Sequence, residues 1–223
     1  MRASGAFSVR CEFGARIRVV AATLLMMVTT AAGTAQAQTI ASLPKPGSIG
    51  RVEPTGTARA VQAWFKFCER YGSECDVDAT QPSTVALTPR LWRTLNAVNR
   101  QVNSTIKPVT DMEHWGVVDR WDLPGDGAGD CEDIQLLKRK VLAEQHGVPR
   151  RAMRMTVVID EQGEGHAVLM IRTDEGELIL DNKRMAILPW HETGYVFVKR
   201  EGENGRDWVS LGDRSSPTTT ANR

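Results

Sequence analysis

Gly129-Asp130-Cys131-Glu132-Asp133-Ile134-Gln135-Leu136-Leu137-Lys138-Arg139-Lys140-Val141-Leu142-Ala143-Glu144-Gln145-His146-Gly147-Val148-Pro149 is the stretch on which the fold turns. Ile134, Leu137, Val141 and Leu142 share one helical face, so Cys131 to His146 is predicted helical, and Gly147 and Pro149 end it. Beyond it the period drops to two. Strands are predicted at Met153–Ile159, His166–Thr173, Leu178–Asp181 and Tyr195–Lys199, with a short one at Trp208–Leu211. Gly163 and Gly165 mark the first connection and Asp174-Glu175-Gly176 the second. Upstream, Val61, Trp64, Phe65 and Cys68 predict a helix over Thr57–Cys68, and Leu91, Leu95, Val98 and Val102 predict another. Pro82 to Thr88 breaks the pattern between them. Ile106 to Asp130, with Pro108, Pro124 and several glycines, reads as irregular. Helices first and an antiparallel sheet after make an α+β plan.

Outside this core, residues 1–37 read as a secretory signal peptide. Arg2, Arg10, Arg16 and Arg18 precede the apolar run Val19–Val28, and Ala35-Gln36-Ala37 supplies an A-x-A cleavage site. Ten residues at helical rise span roughly 15 Å, about half a bilayer core, so no stable membrane insertion is expected after cleavage. An exported, periplasmic protein is implied. Residues 38–56, rich in Pro, Gly and Ser, read as a linker or extended arm, 57–211 as the domain, and 212–223 as a loose tail. Net charge over the whole chain is +1. Loss of the signal removes four basic residues and one acidic one, so the broad basic field of a nucleic-acid binder is missing. The overall composition, 41% hydrophobic and 25% charged, excludes a disordered or multi-span chain.

Four cysteines are present. Cys11 leaves with the signal, and an oxidising compartment favours a Cys68–Cys75 disulfide, with two buried thiols on a helix and its following turn as the alternative. No Cys-x-x-Cys or paired-His spacing supports zinc. Cys131 is then a lone thiol at a helix start, where the partial positive charge of the N-terminus favours thiolate. His166 opens a strand and Asp181 closes the next, and a hairpin brings such ends together. A thiol nucleophile needs a base, and the base a partner that holds its tautomer. Cys131, His166 and Asp181 can fill those roles; a core thiol, a capped strand end and a turn aspartate are the ordinary alternatives. Asp130 can cap the Cys131 helix, with Asp133 completing a capping-box-like exchange. Trp115 and Trp121 read as groove wall or core, His114, His146 and His191 as surface or cap histidines, and Arg150, Arg151 and Arg154 as a solvated basic cluster.

The run Gly129-Asp130-Cys131-Glu132-Asp133, with Leu136-Leu137-Lys138-Arg139, Leu142 and Gly147-Val148-Pro149, resembles the nucleophile motif of the bacterial transglutaminase-like cysteine proteinases. Asp111, Trp115-Gly116, Trp121-Asp122-Leu123-Pro124, Gly165-His166-Ala167-Val168-Leu169, Leu180-Asp181-Asn182, Trp190 and Thr193-Gly194-Tyr195 extend the resemblance over roughly residues 60–200. It implies a papain-like or transglutaminase-like core and a Cys131–His166–Asp181 triad. It also implies Ca²⁺ held by Asp130, Glu132 and Asp133. Three carboxylates beside a thiolate raise its pKa, and a bound Ca²⁺ reverses that field. The best understood members are periplasmic proteases of the LapG type, which release surface adhesins and are sequestered by an inner-membrane cyclic-di-GMP receptor. Peptide hydrolysis through a thioester is therefore expected of a protein substrate. Transglutaminase-type acyl transfer to an amine and a catalytically silent calcium-responsive binding module are the alternatives.

Overall fold

A computed structural model of the chain describes Leu43 and residues 49–212. The signal-peptide reading of residues 1–37 and most of the tail reading lie outside them. In chain order the elements are β1 (Gly56–Ala58), α1 (Gln62–Arg70), α2 (Gly72–Cys75), α3 (Pro89–Thr105), β2 (Lys107–Pro108), α4 (Asp111–His114), β3 (Ala128–Gly129) and α5 (Cys131–His146). The strands β4 (Met153–Ile159), β5 (Gly165–Thr173), β6 (Gly176–Leu180), β7 (Leu188–Pro189), β8 (Val196–Glu201) and β9 (Trp208–Ser210) follow. The fold is α+β.

Seven strands form one antiparallel sheet in the order β1-β9-β8-β4-β5-β6-β7. β4 and β5 pair from Met153–Ile171 to Ile159–Gly165, and β5 and β6 from Leu169–Leu180 to Thr173–Gly176. These two registers decide where His166 and the residue after Leu180 fall. A separate parallel pair, β2 with β3, ties the end of α3 to the loop ahead of Cys131.

One face of the sheet carries α1, α3 and α5 over a core that includes Trp64, Phe67, Trp92, Leu95, Trp121, Ile134, Leu142, Met155, Leu169 and Trp208. The other face has a smaller core of Val158, Val168, Met170, Ile179, Tyr195 and Phe197, joined by Val52 from the extended N-terminal segment. That segment is pinned by the Val52 N–H, which donates to Glu177 Oε2 at 2.7 Å, and by the Gly50–Gly176 bridge. A Cβ on Gly176 would sit 2.2 Å from the Gly50 carbonyl oxygen, so only glycine allows the two backbones so close.

The first helix differs from its sequence reading. Thr57 and Ala58 pair with Val209 and Trp208, which keeps this stretch extended, and the helix begins at Gln62. Its buried face is Ala63, Trp64 and Phe67, whereas Phe65 is 49% exposed. Cys68 and Cys75 are joined by a disulfide between α1 and α2. Arg154 is not solvated. It lies buried in β4, donating to the Gly202 carbonyl, while Arg150 pairs with Glu74 at 2.6 Å. No helix among the described residues is long and apolar enough to cross a membrane.

Candidate active site

Cys131 is the first residue of α5, and Asp130 before it is extended (φ −99°, ψ −158°). The helix packs across β5 and β4 on one side and against α3 on the other, so its N-terminus lies beside the start of β5. There the Ala167 N–H donates to Cys131 Sγ at 3.4 Å. The residue before Ala167 is His166, whose Nε2 is 2.9 Å from Asp181 Oδ1. Asp181 follows directly on β6, and its placement comes from the β5–β6 register. The three side chains named from the sequence thus arrive from α5, β5 and the end of β6. All three are buried. His166 Nδ1, the ring nitrogen left over from the Asp181 contact, has no hydrogen-bond partner.

Asp181 is heavily engaged. Oδ1 also accepts from the Lys183 N–H at 3.0 Å, Oδ2 accepts from Tyr195 Oη at 2.6 Å, and the backbone carbonyl accepts from Asn103 Nδ2 at 2.8 Å. Burial by itself would push this carboxyl up. The hydrogen bonds and charge of His166, with Tyr195 and Lys183, outweigh burial and hold it down at about 2. Burial first, and the same carboxylate second, push the Tyr195 phenol well above its ordinary value, so the phenol donates.

Behind Cys131 is a nest of carboxylates. Oxygens of Asp111, Asp130 and Asp133 lie within 4.8 Å of one another, and so do those of Asp111, Asp119 and Glu132. Asp130 makes no side-chain cap to the helix, unlike the sequence reading, because its carboxylate turns into this nest. Asp133 closes no capping box either; its Oδ1 accepts from the Asp122 N–H at 2.6 Å. Glu132 Oε2 is 3.0 Å from Cys131 Sγ. Both Asp130 oxygens and Glu132 Oε1 are buried without a hydrogen-bond partner. Burial first, and mutual repulsion second, push Asp130 up to about 8, Asp133 up to about 9 and Glu132 well above the carboxylate range. Burial likewise lifts Asp111 to about 6.

Asp111 reaches the nest through β2–β3 pairing and a capping box at Thr110 and Glu113 that opens α4. Its Oδ2 accepts from the Arg120 N–H, which closes the loop that carries Asp119. Sequence reasoning quoted Asp111 without a role and passed over Asp119. The Thr110-x-x-Glu113 pattern was a signal for the first, and no local pattern marks the second.

Residues 55–216 match the family described as bacterial transglutaminase-like cysteine proteinase. The chain belongs to this family. It is a cysteine peptidase. Among solved structures, Legionella pneumophila LapG is 27% identical, with 68% of this chain and 78% of that chain covered at a TM-score of 0.47. Calcium-bound LapG from the same organism is 22% identical, with 72% and 86% covered, also at 0.47. An EGTA-treated form is 24% identical, with 68% and 75% covered at 0.45. No curated protein matches.

In this proteinase Trp121 is core, packed edge-on against Trp64 and Trp208, while Trp115 is exposed at the surface and stacked on His114. His114 pairs with Asp126 at 2.7 Å, His146 is exposed at the end of α5, and His191 is exposed in the short 3-10 turn Trp190–Glu192.

Proposed function

We propose that this proteinase hydrolyses a peptide bond through a thioester on Cys131. The reading rests on one observation: the sulfur meets the strand backbone at Ala167, next to a histidine whose far nitrogen is held by Asp181. His166 Nδ1 takes the Cys131 proton, and the thiolate attacks the carbonyl carbon of the substrate. The Cys131 backbone N–H, at the first position of the helix, would receive the developing oxyanion. The C–N bond then breaks, and His166 returns the proton to the leaving amine. Water, deprotonated by His166, attacks the thioester, releasing the acid and restoring the thiol. Asp181 keeps its charge throughout and fixes the imidazole. An amine in place of water at the last step gives transfer instead of hydrolysis, and incorporation of a labelled primary amine measures that fate.

The residues present fit a calcium ion. Hard carboxylate oxygens converge, several are buried with no donor, and repulsion among them is unrelieved. Asp130, Glu132 and Asp133, with Asp111 and Asp119, would hold it. When bound it supplies positive charge that offsets the carboxylates beside the nucleophile.

We further read the protein as periplasmic, its substrate as a surface adhesin and its regulator as an inner-membrane cyclic-di-GMP receptor, as the family resemblance implies. The test compares exported and surface proteins of a wild-type strain with those of a Cys131→Ala strain. Retention of a surface protein by the mutant alone is expected. Identical protein profiles would remove the reading.

A further inference from the structure

Tyr195 lies outside the three-residue proposal yet touches two of its members. Its Oη is 2.6 Å from Asp181 Oδ2, and its ring stands edge-on to the His166 imidazole at 5.7 Å between centroids. Backbone and ring are both fixed in place. Gly194 before it has φ 78°, a left-handed turn that swings the chain into β8. The Thr193 hydroxyl accepts from the Tyr195 N–H at 3.2 Å, and the Arg184 guanidinium lies over the ring at 5.2 Å. Arg184 is itself tied to Glu161 in the β4–β5 turn.

The two oxygens of Asp181 are held by different partners. Oδ1 receives His166 Nε2 and the Lys183 N–H, whereas Oδ2 receives only the tyrosine hydroxyl among the hydrogen bonds observed. A carboxylate held at one oxygen can still turn about its Cβ–Cγ bond. Held at both, it presents Oδ1 to the imidazole in a single plane, and the orientation of the ring, with Nδ1 unengaged, follows from that plane.

We propose that Tyr195 is a positioning residue of this site, whose hydroxyl fixes the plane of the Asp181 carboxylate and through it the orientation of His166. The proposal rests on the Cys131–His166–Asp181 reading above. Tyr195 contacts no reacting atom. Its hydroxyl acts through Asp181 alone, which makes that effect separable from the ring's packing on His166, because phenylalanine keeps the ring and loses only the donor.

The experiment uses the mature full-length chain and iodoacetamide, a probe small enough to follow a substrate to the sulfur. Alkylation of Cys131 at pH 7 is timed by intact mass for wild type, Tyr195→Phe, Asp181→Asn and the double variant, each checked for folding by its melting temperature. Tyr195→Phe is expected to slow alkylation about tenfold and to displace the His166 ring N–H resonance, and Asp181→Asn to slow it at least as much. The double variant should be no slower than Asp181→Asn, since the hydroxyl has nothing left to act through. Additive losses in the double variant overturn the proposal. So does a Tyr195→Phe rate within twofold of wild type alongside a slowed Asp181→Asn. If Asp181→Asn is also within twofold, the three-residue reading itself falls, and this proposal with it.

Discussion

A methyl group on Gly129 has no room: its Cβ would stand 2.8 Å from both Cβ and Oδ2 of Asp133 and 3.2 Å from Pro124 Cβ. Gly129→Ala must therefore push Asp133 out of the carboxylate nest. For the proposed calcium site the expected result is an affinity weakened about tenfold, roughly 1.4 kcal/mol, read by isothermal titration. Asp181 supports a second prediction. Its folded value of about 2 lies below its ordinary 3.8, so its contribution is fully present above pH 3.8 and is lost as pH falls through 2. The difference corresponds to about 2 kcal/mol. Urea melts of wild type and Asp181→Asn should differ by about that much at pH 6 and converge near pH 2. The positions of Cys131, His166 and Asp181 were legible in the sequence because each stands at the end of a periodic segment, but spacing left them ordinary alternatives, and the family resemblance is what singled out the three as a proposed triad. Asp111, Asp119 and the Tyr195–Asp181 bond were not legible. Those contacts join residues brought together by loop paths, which no local period encodes.

The same contrast holds for whole elements. α5 and β4 were readable from end to end, and α5 stops at Gly147, whose φ of 66° is the left-handed cap that its sequence position suggested. The β1 stretch was misread as helix because three residues carry too little period to show pairing with a strand 150 residues away. What the α5 pattern concealed was how much of its polar face is buried. Gln135, Lys138 and Arg139 join Ile134, Leu136 and Leu142 inside, since α3 covers the side that the sheet does not. Arg139 is paired with Glu201 at 2.9 Å, but Lys138 Nζ has no hydrogen-bond partner. Burial, opposed by the Asp181 charge, drops Lys138 from 10.5 to about 7. A depressed lysine costs nothing above pH 10.5, and the cost grows as pH falls to 7 and is constant below. Lys138→Met, close in length, should thus raise stability by about 4 kcal/mol at pH 6 and by almost nothing near pH 10.5. Thermal melts at the two pH values check the sign; equal gains at both would mean that the ammonium carries no penalty.

At the scale of the molecule, the sheet places its two chemical burdens at one end. The β5–β6 hairpin delivers His166 and Asp181, and the β2–β3 pair delivers Asp111 to the same end of α5. The cost is a concentration of buried carboxylates that the rest of the fold does not neutralise. Salt bridges elsewhere engage Glu74, Glu177 and Glu201, whereas Asp130 and Glu132 Oε1 have no donor. A divalent cation that binds only the folded chain therefore stabilises the whole domain by mass action. At free calcium a hundredfold above its dissociation constant the gain is about 2.7 kcal/mol, which for a domain of this size raises the melting temperature by roughly 5–11 °C. Chelation should reverse the shift. Glu132→Gln removes one ligand together with the cost that burial places on the carboxyl, so it should narrow the gap between calcium-loaded and chelated protein while raising the melting temperature of the chelated form. A scan of melting temperature against free calcium for both chains decides it. A wild-type curve that stays flat from chelator to millimolar calcium would leave the buried carboxylates without a counterion and the proposed ion without a site.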